Sequence, residues 1–267
     1  MIDQSVDVVF NRPVNHDTWL MGLKSPHMAA EARPGQFVML RVGSGIDPLL
    51  RRPFSVAGVK GDLFMVLYRV VGKGTAVMTA AKAGEKLAVL GPLGKGFDVL
   101  QGSVLPVLVG GGIGVAPLFF LSQSLTGRRV EFMMGFRSAK DIIRPHDDEA
   151  PNHRLSISTD DGTEGHAGLV TNLLGIFLEK NKTQSMCLFA CGPRPMLKQV
   201  AKMAMVRGVP CQVSLESAMA CGLGACQGCA VKASENGTRS YYHVCQDGPV
   251  FPIQSIDWAV HYVHTEP

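Results

Sequence analysis

The sequence is poor in charged residues. Asp, Glu, Lys and Arg make up 18% of its 267 residues, whereas soluble proteins average about 25%. Hydrophobic residues reach 46%, so the deficit in charge indicates large buried cores or a surface that a partner covers. The basic residues are dispersed, without a run of five or more, and this argues against a protein that binds nucleic acid.

The N-terminus shows no export signal. Residues 1–7 contain no basic segment followed by an apolar stretch, so we expect a cytoplasmic protein. Residues 102–127 contain no charged side chain and by length alone could cross a membrane. Five glycine or proline positions between Gly110 and Pro117 would interrupt such a helix. The segment is therefore predicted to form a buried strand, a turn and a helix.

The chain is long enough for two domains of ordinary size and a small module stabilised by a cofactor. Residues 1–98 are predicted to form a closed barrel of six antiparallel strands, because short β-rich runs alternate with Gly, Pro, Asn or Asp. Residues 72–82 are predicted to form a helix with Thr75 able to cap it, and its N-terminus offers N–H groups to a phosphate. The six predicted strands are Val6–Phe10, Trp19–Leu23, Phe37–Val42, Phe54–Val59, Leu63–Val70 and Leu87–Leu90.

Residues 99–215 change periodicity and predict a doubly wound parallel sheet. The predicted strand Leu105–Val109, the turn Gly110–Gly114 and the helix Val115–Leu125 form its first unit. This turn lacks the dinucleotide fingerprint G-x-G-x-x-G, because no glycine stands at its last position. The other predicted strands are Val130–Gly135, Leu155–Thr159, Met186–Ala190 and Cys211–Leu215, and the other predicted helices are Gly168–Lys180 and Arg194–Arg207.

Ligands of such sheets bind at the carboxyl ends of the strands. Four segments are expected there, namely residues 110–114, 135–138, 160–162 and 191–193. The pair Asp160 and Asp161 belongs to a predicted turn, and no residue is assigned as a catalytic acid or base.

The most specific pattern in the chain is formed by four of its seven cysteines. Cys221, Cys226, Cys229 and Cys245 follow the formula C-x4-C-x2-C-x15-C. The first three terms match the plant-type spacing for a [2Fe–2S] cluster that is held by four thiolates. Residues 216–267 are therefore predicted to form a small cluster-binding module.

Glycines inside this motif favour a tight loop around a cluster. Gly222, Gly224 and Gly228 can adopt positive φ and carry no Cβ, so their N–H groups can approach the cluster sulfurs. A zinc site is the second interpretation, although it usually pairs two C-x2-C knuckles or adds histidines, and only His243 is nearby. A disulfide framework is rejected because the chain is long, has an odd number of cysteines and shows no export signal.

Residues 51–55, Arg-Arg-Pro-Phe-Ser, are followed by Leu67-Tyr-Arg69 and Gly74-Thr75. Together these motifs resemble the flavin-binding domain of the ferredoxin-NADP reductase superfamily. On its own the first motif is more typical of an exposed arginine pair before a proline-started edge strand. An arginine can bind a pyrophosphate through bidentate bonds, and a serine hydroxyl can bond a flavin nitrogen. The resemblance implies that Arg52, Pro53, Phe54 and Ser55 line the isoalloxazine and reach the flavin phosphates, and that Leu67, Tyr68, Arg69, Gly74 and Thr75 hold the rest of FAD.

Two motifs of the predicted sheet resemble the nicotinamide-binding domain of the same superfamily. They are the glycine-rich residues 110–117 and the segment 190–196, Ala-Cys-Gly-Pro-Arg-Pro-Met. A buried cysteine before a helix with proline in its first turn is also a common structural feature without a ligand. The resemblance implies that NAD contacts Gly111, Gly112 and Gly114 and that Cys191, Gly192 and Pro193 form the turn against the nicotinamide.

Residues 216–229, 242–251 and 160–168 closely resemble the electron-transfer subunits of dihydroorotate dehydrogenase B. The resemblance covers residues 5–255 and implies FAD, a [2Fe–2S] cluster and NAD as cofactors. It also implies a partner, an FMN-containing catalytic subunit that oxidises dihydroorotate for pyrimidine biosynthesis, with the two subunits assembled as a heterotetramer. No residue of this chain is then expected to bind dihydroorotate.

Two other functions remain open at this point. A small flavin subunit of a cytoplasmic hydrogenase or transhydrogenase shares these cofactors and differs in its partner. A ferredoxin-like carrier or zinc-stabilised adaptor is a binding protein that has lost FAD and NAD, and the intact Arg-Pro-Phe-Ser motif argues against it.

The choice between NADH and NADPH is also open, because residues 135–138 offer no acidic side chain for the ribose hydroxyls and Arg137 can pair with a 2′-phosphate. The resemblance favours NADH.

Overall fold

A computed structural model describes residues 1–43, 45, 47–99, 102–144, 153–235 and 239–260. None of the helices within these ranges is both long and apolar enough to span a membrane. The uncharged segment forms a strand, a short turn of 3₁₀ helix and an α-helix, as predicted.

The first part of the chain forms the predicted closed antiparallel barrel. Its strands are β1 (Ile2–Pro13), β2 (Thr18–Lys24), β3 (Phe37–Leu40), β4 (Arg52–Lys60), β5 (Leu63–Arg69) and β6 (Lys86–Leu93). They follow one another around the barrel in the order β1, β2, β5, β4, β3, β6. Met21 and Phe64 are among the side chains that fill its interior.

Two short helices accompany the barrel. Helix α1 (Pro26–Glu31) was not predicted, and Ser25 caps it by accepting a backbone N–H of the first turn. Helix α2 (Lys73–Thr79) lies within the predicted helical segment. Thr75 stands in its first turn rather than at the cap position, and its hydroxyl reaches back to accept the N–H groups of Val71 and Gly72.

The second part of the chain forms the predicted doubly wound sheet. Its strands are β7 (Leu105–Gly111), β8 (Val130–Phe136), β9 (His153–Thr159), β10 (His166–Ala167), β11 (Met186–Cys191) and β12 (Cys211–Ser214), and its helices are α3 (Val115–Ser124), α4 (Val170–Lys180) and α5 (Arg194–Arg207). Helix α3 covers one face, where its side chains pack with Leu108 and Phe132. Helices α4 and α5 cover the opposite face and pack on Val107 and Leu188.

The third part of the chain returns to this sheet. It comprises the hairpin of β13 (Ala230–Lys232) and β14 (Tyr241–His243), the short helix α6 (Val244–Asp247) and the strand β15 (Val250–Pro252). The seven strands of the sheet lie in the order β10, β9, β8, β7, β11, β12, β15, and β15 alone runs antiparallel. The predicted fold class is confirmed, whereas the boundaries after residues 98 and 215 stay predictions.

All three parts meet around Gly248 and Pro249. The Lys95 N–H, at the exit of the barrel, donates to the Gly248 carbonyl at 2.5 Å, and the Leu215 N–H donates to the Pro249 carbonyl at 2.9 Å. Gly94 has a φ of +73°, and a Cβ there would lie 2.6 Å from the Gly248 oxygen. The cysteine-containing part is therefore held by backbone contacts to both the barrel and the sheet.

We expect Phe251→Ala to weaken this junction. Phe251 in β15 is buried, and its ring centroid lies 5.5 Å from that of Tyr242. Removal of the ring leaves a cavity, so the free energy of unfolding should fall by about 3–5 kcal/mol in denaturant titrations. Tyr241→Ala is the control, because this side chain is exposed and its loss should change stability by less than about 0.5 kcal/mol. Equal losses in both variants would contradict the packing described here.

Candidate functional site

The predicted flavin-binding tetrapeptide begins strand β4. Residues 52–55 are half-buried and pair with β3. The Arg52 guanidinium lies over the N-terminus of α2, since a Cβ on Gly74 would lie 3.2 Å from Arg52 Nε. Arg52 Nη1 also donates to the Leu50 carbonyl at 2.5 Å. Gly74 thus leaves room beside a cation at the helix terminus, which suits a phosphate group.

Strand β5 places its three predicted FAD residues in different surroundings. Tyr68 lies in the barrel interior, where its hydroxyl donates to Asn11 Oδ1 at 2.9 Å. Burial raises the pKa of Tyr68 to about 12, and the bond to Asn11 opposes this rise. Leu67 packs in the apolar cluster between the barrel and the sheet. Arg69 extends towards the glycine-rich turn, with Nη2 3.1 Å from the Cβ position of Gly112.

The glycine-rich turn and the Cys-Gly-Pro turn pack directly on each other at the carboxyl ends of β7 and β11. A Cβ on Gly114 would lie 2.5 Å from the Cys191 carbonyl oxygen, and one on Gly111 would lie 2.6 Å from Met196 Sδ. Gly192 has a φ of +155°, and its Cβ position is 3.0 Å from the Gly111 nitrogen. Only glycine fits this approach of backbone to backbone. Pro193 then leads into α5 as its cap residue.

Cys191 presents a neutral thiol at this point. It is the last residue of β11 and is buried. Burial raises the pKa of the thiol far above its usual range, the Glu216 carboxylate adds to this rise, and a bond to the Ser214 side chain opposes it. Ser214 pairs with Cys191 across β11 and β12. The turn therefore brings no charge to a bound nicotinamide.

Glu216 is a residue of this cleft that sequence reasoning did not single out. It follows β12 after one residue, at the carboxyl edge of the sheet. Its side chain is exposed. Desolvation by the protein around the carboxyl raises its pKa, an effect that the Arg69 guanidinium partly offsets. Its position directly after a sheet strand was the signal that could have identified it.

The segments that follow β8 and β9 form a rim of polar side chains, most of which are hydrogen-bonded to one another. The Ser138 hydroxyl donates to Asp141 at 2.6 Å, and the Thr163 hydroxyl donates to Asp161 at 2.6 Å. These Thr163 bonds lower the pKa of Asp161. Arg137 is exposed, and within the described ranges its side chain has no hydrogen-bond or ion-pair partner. The rim thus offers a guanidinium to a nucleotide.

The four motif cysteines stand as two pairs. The Sγ atoms of Cys229 and Cys245 lie 3.3 Å apart, and both residues are buried. Cys221 and Cys226 form the outer pair, in which the Cys226 N–H donates to Cys221 Sγ at 3.4 Å. Cys226 is exposed and Cys221 is partly exposed. The motif therefore has one sheltered half and one open half.

Backbone N–H groups surround these sulfurs, as expected for thiolates that hold a cluster. The Leu223 N–H donates to Cys221 Sγ at 3.4 Å, and the Gly224 N–H donates to Cys245 Sγ at 3.1 Å. The N–H bonds from Cys226 and Leu223 lower the pKa of Cys221 to about 6. Burial and the neighbouring Cys229 raise the pKa of Cys245 to about 12.

The loop glycines agree with the prediction at two positions of three. Gly222 and Gly224 have φ values of +73° and +79°. Gly228 does not adopt positive φ, and Gln227, with a φ of +58°, makes the left-handed turn instead. Its side chain is exposed and needs no packing partner, so the turn between the last two clustered cysteines tolerates it. Gly222 packs on the barrel, where its Cβ position is 2.7 Å from Met39 Cγ.

This arrangement fits a two-iron cluster better than zinc. A structural zinc site needs four donors around a single point, whereas these cysteines stand as an inner pair and an outer pair. Two cysteine pairs with N–H donors instead supply four thiolates to a [2Fe–2S] centre. The Arg52 and Gly74 cradle fits a flavin phosphate in the same way.

Solved structures share this architecture. One is a chain of an NADH-dependent reduced ferredoxin-NADP oxidoreductase, which was studied for flavin-based electron bifurcation. Its sequence is 31% identical to this one, and the two structures superpose with a TM-score of 0.82 over 95% of this chain and 90% of the other. The Amycolatopsis cytochrome P450 reductase, at 24% identity and a TM-score of 0.63, shares the fold over 77% of this chain and 66% of its own. Fold and site define a flavoprotein of the ferredoxin-NADP reductase type with an added iron–sulfur module.

Relatives narrow the class to a family. The family model "Iron-sulfur cluster binding domain of dihydroorotate dehydrogenase B" matches residues 216–257. The "Dihydroorotate dehydrogenase B (NAD(+)), electron transfer subunit" of Desulforamulus reducens is 41% identical over 91% of this chain and 93% of its own length. The subunit of that name from Bacillus pumilus is 37% identical over 93% and 96%. The chain belongs to this family of electron transfer subunits.

Gly114→Ala tests the contact between the two turns. The added methyl group meets backbone atoms of Cys191 and Gly192, so the turns must separate, at a cost of about 1–3 kcal/mol in unfolding free energy. Reduction of bound FAD by NADH should slow about tenfold or more in stopped-flow absorbance, because the nicotinamide is misplaced. Gly175→Ala in α4 meets only the flexible end of Met203 and should be tolerated. Unchanged reduction in Gly114→Ala would contradict the assignment.

Proposed function

We propose that this chain carries electrons between NAD⁺ and a separate, FMN-containing catalytic subunit that oxidises dihydroorotate, with FAD and a [2Fe–2S] cluster as its cofactors. The observation that carries the proposal is the contact between the cysteine loop and the flavin barrel. Gly222 packs on Met39 of β3, and Met39 pairs with Pro53 of β4. Cys221, which precedes Gly222, thus lies beside β3, the strand that pairs directly with the predicted flavin contacts of β4.

The residues of the barrel bind and orient the flavin. When bound, FAD exchanges electron pairs with a nicotinamide and single electrons with an iron–sulfur centre. Arg52 neutralises its phosphates beside Gly74, while Thr75 holds the first turn of α2 in place through its bonds to Val71 and Gly72. Pro53, Phe54 and Ser55 line the isoalloxazine, and Leu67 and Arg69 hold the rest of FAD from the neighbouring strand. Tyr68 acts from inside the barrel, where its ring packs against Phe54 at 6.0 Å between centroids.

The two packed turns bind the nicotinamide nucleotide. Gly111, Gly112 and Gly114 let the chain pass close to the Cys-Gly-Pro turn, so residues 191–193 present backbone and a neutral thiol to the ring. Arg69 stands between this site and the barrel, where its Nε lies 3.6 Å from the Asp17 carboxylate. We expect nicotinamide and flavin to share this cleft, because direct hydride transfer requires contact between them.

The cysteine module faces the partner. Cys221, Cys226, Cys229 and Cys245 hold the cluster, and the outer pair opens to solvent. Leu49, Leu50 and Leu223 are exposed apolar residues. Two of these leucines are adjacent in sequence to residues that contact Met39. Gly222, which precedes Leu223, packs on the Met39 side chain, and Arg51, which follows Leu50, donates through Nη1 to the Met39 carbonyl at 3.4 Å. These leucines form an apolar rim beside the cluster that the catalytic subunit covers in a cytoplasmic heterotetramer.

A second function is favoured by one comparison. The similarity to the ferredoxin-NADP oxidoreductase chain extends over 95% of this chain, which supports a transhydrogenase-like flavin subunit with another partner. The partner and the nucleotide distinguish the two proposals.

Cys226→Ser tests the role of the outer cysteine pair. The purified wild-type protein should contain FAD, iron and acid-labile sulfide in the proportions of one flavin and one [2Fe–2S] cluster per chain. The variant loses a ligand from the exposed half, so electron transfer to and from the catalytic subunit should collapse. Oxidation of NADH by a dye that accepts electrons directly from FAD should persist. Electron transfer is measured with the catalytic subunit and, separately, with the dye, and the iron content is measured by metal analysis.

Two controls make this test specific. Cys187→Ala removes a buried cysteine outside the motif and should leave the iron content unchanged. Ser55→Ala should slow both activities, because it alters the flavin site itself. Stoichiometric zinc without iron in the wild-type protein would refute the cluster. Loss of the dye reaction in Cys226→Ser with FAD still bound would refute the proposed order of nicotinamide, flavin, cluster and partner.

The nucleotide preference is tested at Arg137. We expect NADH to reduce FAD faster than NADPH at equal concentrations, as the family name indicates for the relatives. Arg137→Ala should slow the reaction with NADPH and spare that with NADH, since only NADPH carries a 2′-phosphate for the guanidinium. The rate of FAD reduction is measured by stopped-flow absorbance with NADH and with NADPH, in the wild type and in Arg137→Ala. A clear wild-type preference for NADPH would favour the transhydrogenase-like function.

A further inference from the structure

Helix α3 physically joins the two halves of the proposed hydride-transfer site. Its first residue follows the turn of Gly112–Gly114, and its body crosses strand β4 of the barrel. Phe120 of α3 is buried among barrel core residues, whereas Phe119 packs with the sheet. The helix therefore contacts the nucleotide turn at one end and the flavin-binding strand along its length.

Strand β4 has an unpaired edge where α3 crosses it. Strand β3 pairs only with residues 52–55 of β4, and the Val56 N–H donates to the Gln36 carbonyl. A register shift between Val56 and Gly58 marks a bulge, after which β5 is the one strand that pairs with β4 among the residues that the structure describes. The peptide groups of Val59 on the open edge then need partners from outside the barrel sheet.

Gln123 near the end of α3 supplies both partners. Its Nε2 donates to the Val59 carbonyl at 2.6 Å, and its Oε1 accepts the Val59 N–H at 3.0 Å. The side-chain amide thus substitutes for the next strand of the barrel. Gly58 permits the approach, since a Cβ there would lie 3.2 Å from Gln123 Oε1.

The chemistry of this contact is specific to a primary amide. Glutamine carries a donor and an acceptor in one plane, whereas an ionised glutamate only accepts and a leucine does neither. Val59 lies four residues after Ser55 on the same strand. Any shift of α3 against Val59 therefore changes the distance between the nucleotide turn and the predicted flavin contacts.

We propose that Gln123 is a positioning residue for hydride transfer, which fixes the separation between the glycine-rich turn and the flavin-binding strand. The inference rests on the proposed function, because it concerns the geometry of the same cleft. Gln123 acts through α3 and β4 and touches neither the glycine turn nor the flavin-binding tetrapeptide. Its loss is expected to impair the transfer step and to leave the binding of each cofactor intact.

Gln123→Leu in the holoenzyme is the first test. Reduction of FAD by NADH should slow about tenfold or more in stopped-flow absorbance, because misplacement by a fraction of an ångström is costly for a transfer between contacting rings. FAD content, iron content and the dissociation constant for NAD⁺ should stay within about twofold of the wild type. Hydrogen exchange at the Val59 amide should accelerate, which reports loss of the clamp independently of activity. Ser124→Ala, one residue along the helix and exposed, should match the wild type.

Gln123→Glu adds a pH-dependent test of the same contact. A neutral carboxylic acid offers one donor and one acceptor, whereas the carboxylate repels the Val59 carbonyl. The reduction rate of Gln123→Glu, as a ratio to the wild-type rate, should rise as the pH falls through the pKa of the new carboxyl. The same ratio for Gln123→Leu should stay flat. A side chain that contributed to stability alone would change the unfolding free energy with pH and leave the reduction rate of the folded protein unchanged.

The outcomes separate this inference from the proposed function. Wild-type protein that fails to bind FAD or to be reduced by NADH would refute the function itself. With an active wild type, an unchanged reduction rate in Gln123→Leu together with accelerated Val59 exchange would overturn the positioning role. If the slower reduction in Gln123→Leu were due entirely to weaker binding of NAD⁺, the positioning role would be overturned as well.

Discussion

Close approach of neighbouring segments at glycine residues is the constraint on which this structure depends. Hydride transfer requires contact between two rings, and electron transfer to the cluster requires the cysteine loop to lie near the flavin. Gly114 lets the nucleotide turn touch Cys191, Gly222 lets the cysteine loop rest on Met39, and Gly94 lets the barrel exit touch Gly248. At each place a Cβ would meet an atom at 2.7 Å or less. The three parts of the chain are thus brought together by the absence of side chains.

Much of the architecture was accessible from the sequence because its signals are local. The six barrel strands and five of the seven strands of the sheet were predicted from β-rich runs and turn residues, and they are confirmed with shifted ends. The ends shifted where polar residues continue a strand, as in β1, whose exposed termini carry no apolar alternation. The cysteine spacing also acts locally, since three of the four cysteines lie within one loop.

Other features were inaccessible because they arise from contacts between distant segments. Strand β15 was not predicted, since its place beside β12 depends on the whole intervening module. Glu216 joins the cleft only because the sheet brings it beside Arg69. Gln123 is one of many polar helix residues until the fold sets it against Val59. The depth of Tyr68 within the barrel depended on which face of β5 turns inward. The FAD and NAD contacts of the other predicted residues stay predictions.

The return of the chain to the sheet sets the distance between the two ends of the cysteine module. The cysteine module leaves the sheet after β12 and re-enters it as β15, the adjacent strand. Its two ends are therefore separated by roughly the spacing of neighbouring strands, about 4.8 Å. A segment with such close ends can be inserted into a host fold, or replaced, without a change in the path of the host chain. In a flavin reductase, such a segment adds a one-electron centre while β12 and β15 stay adjacent in the sheet.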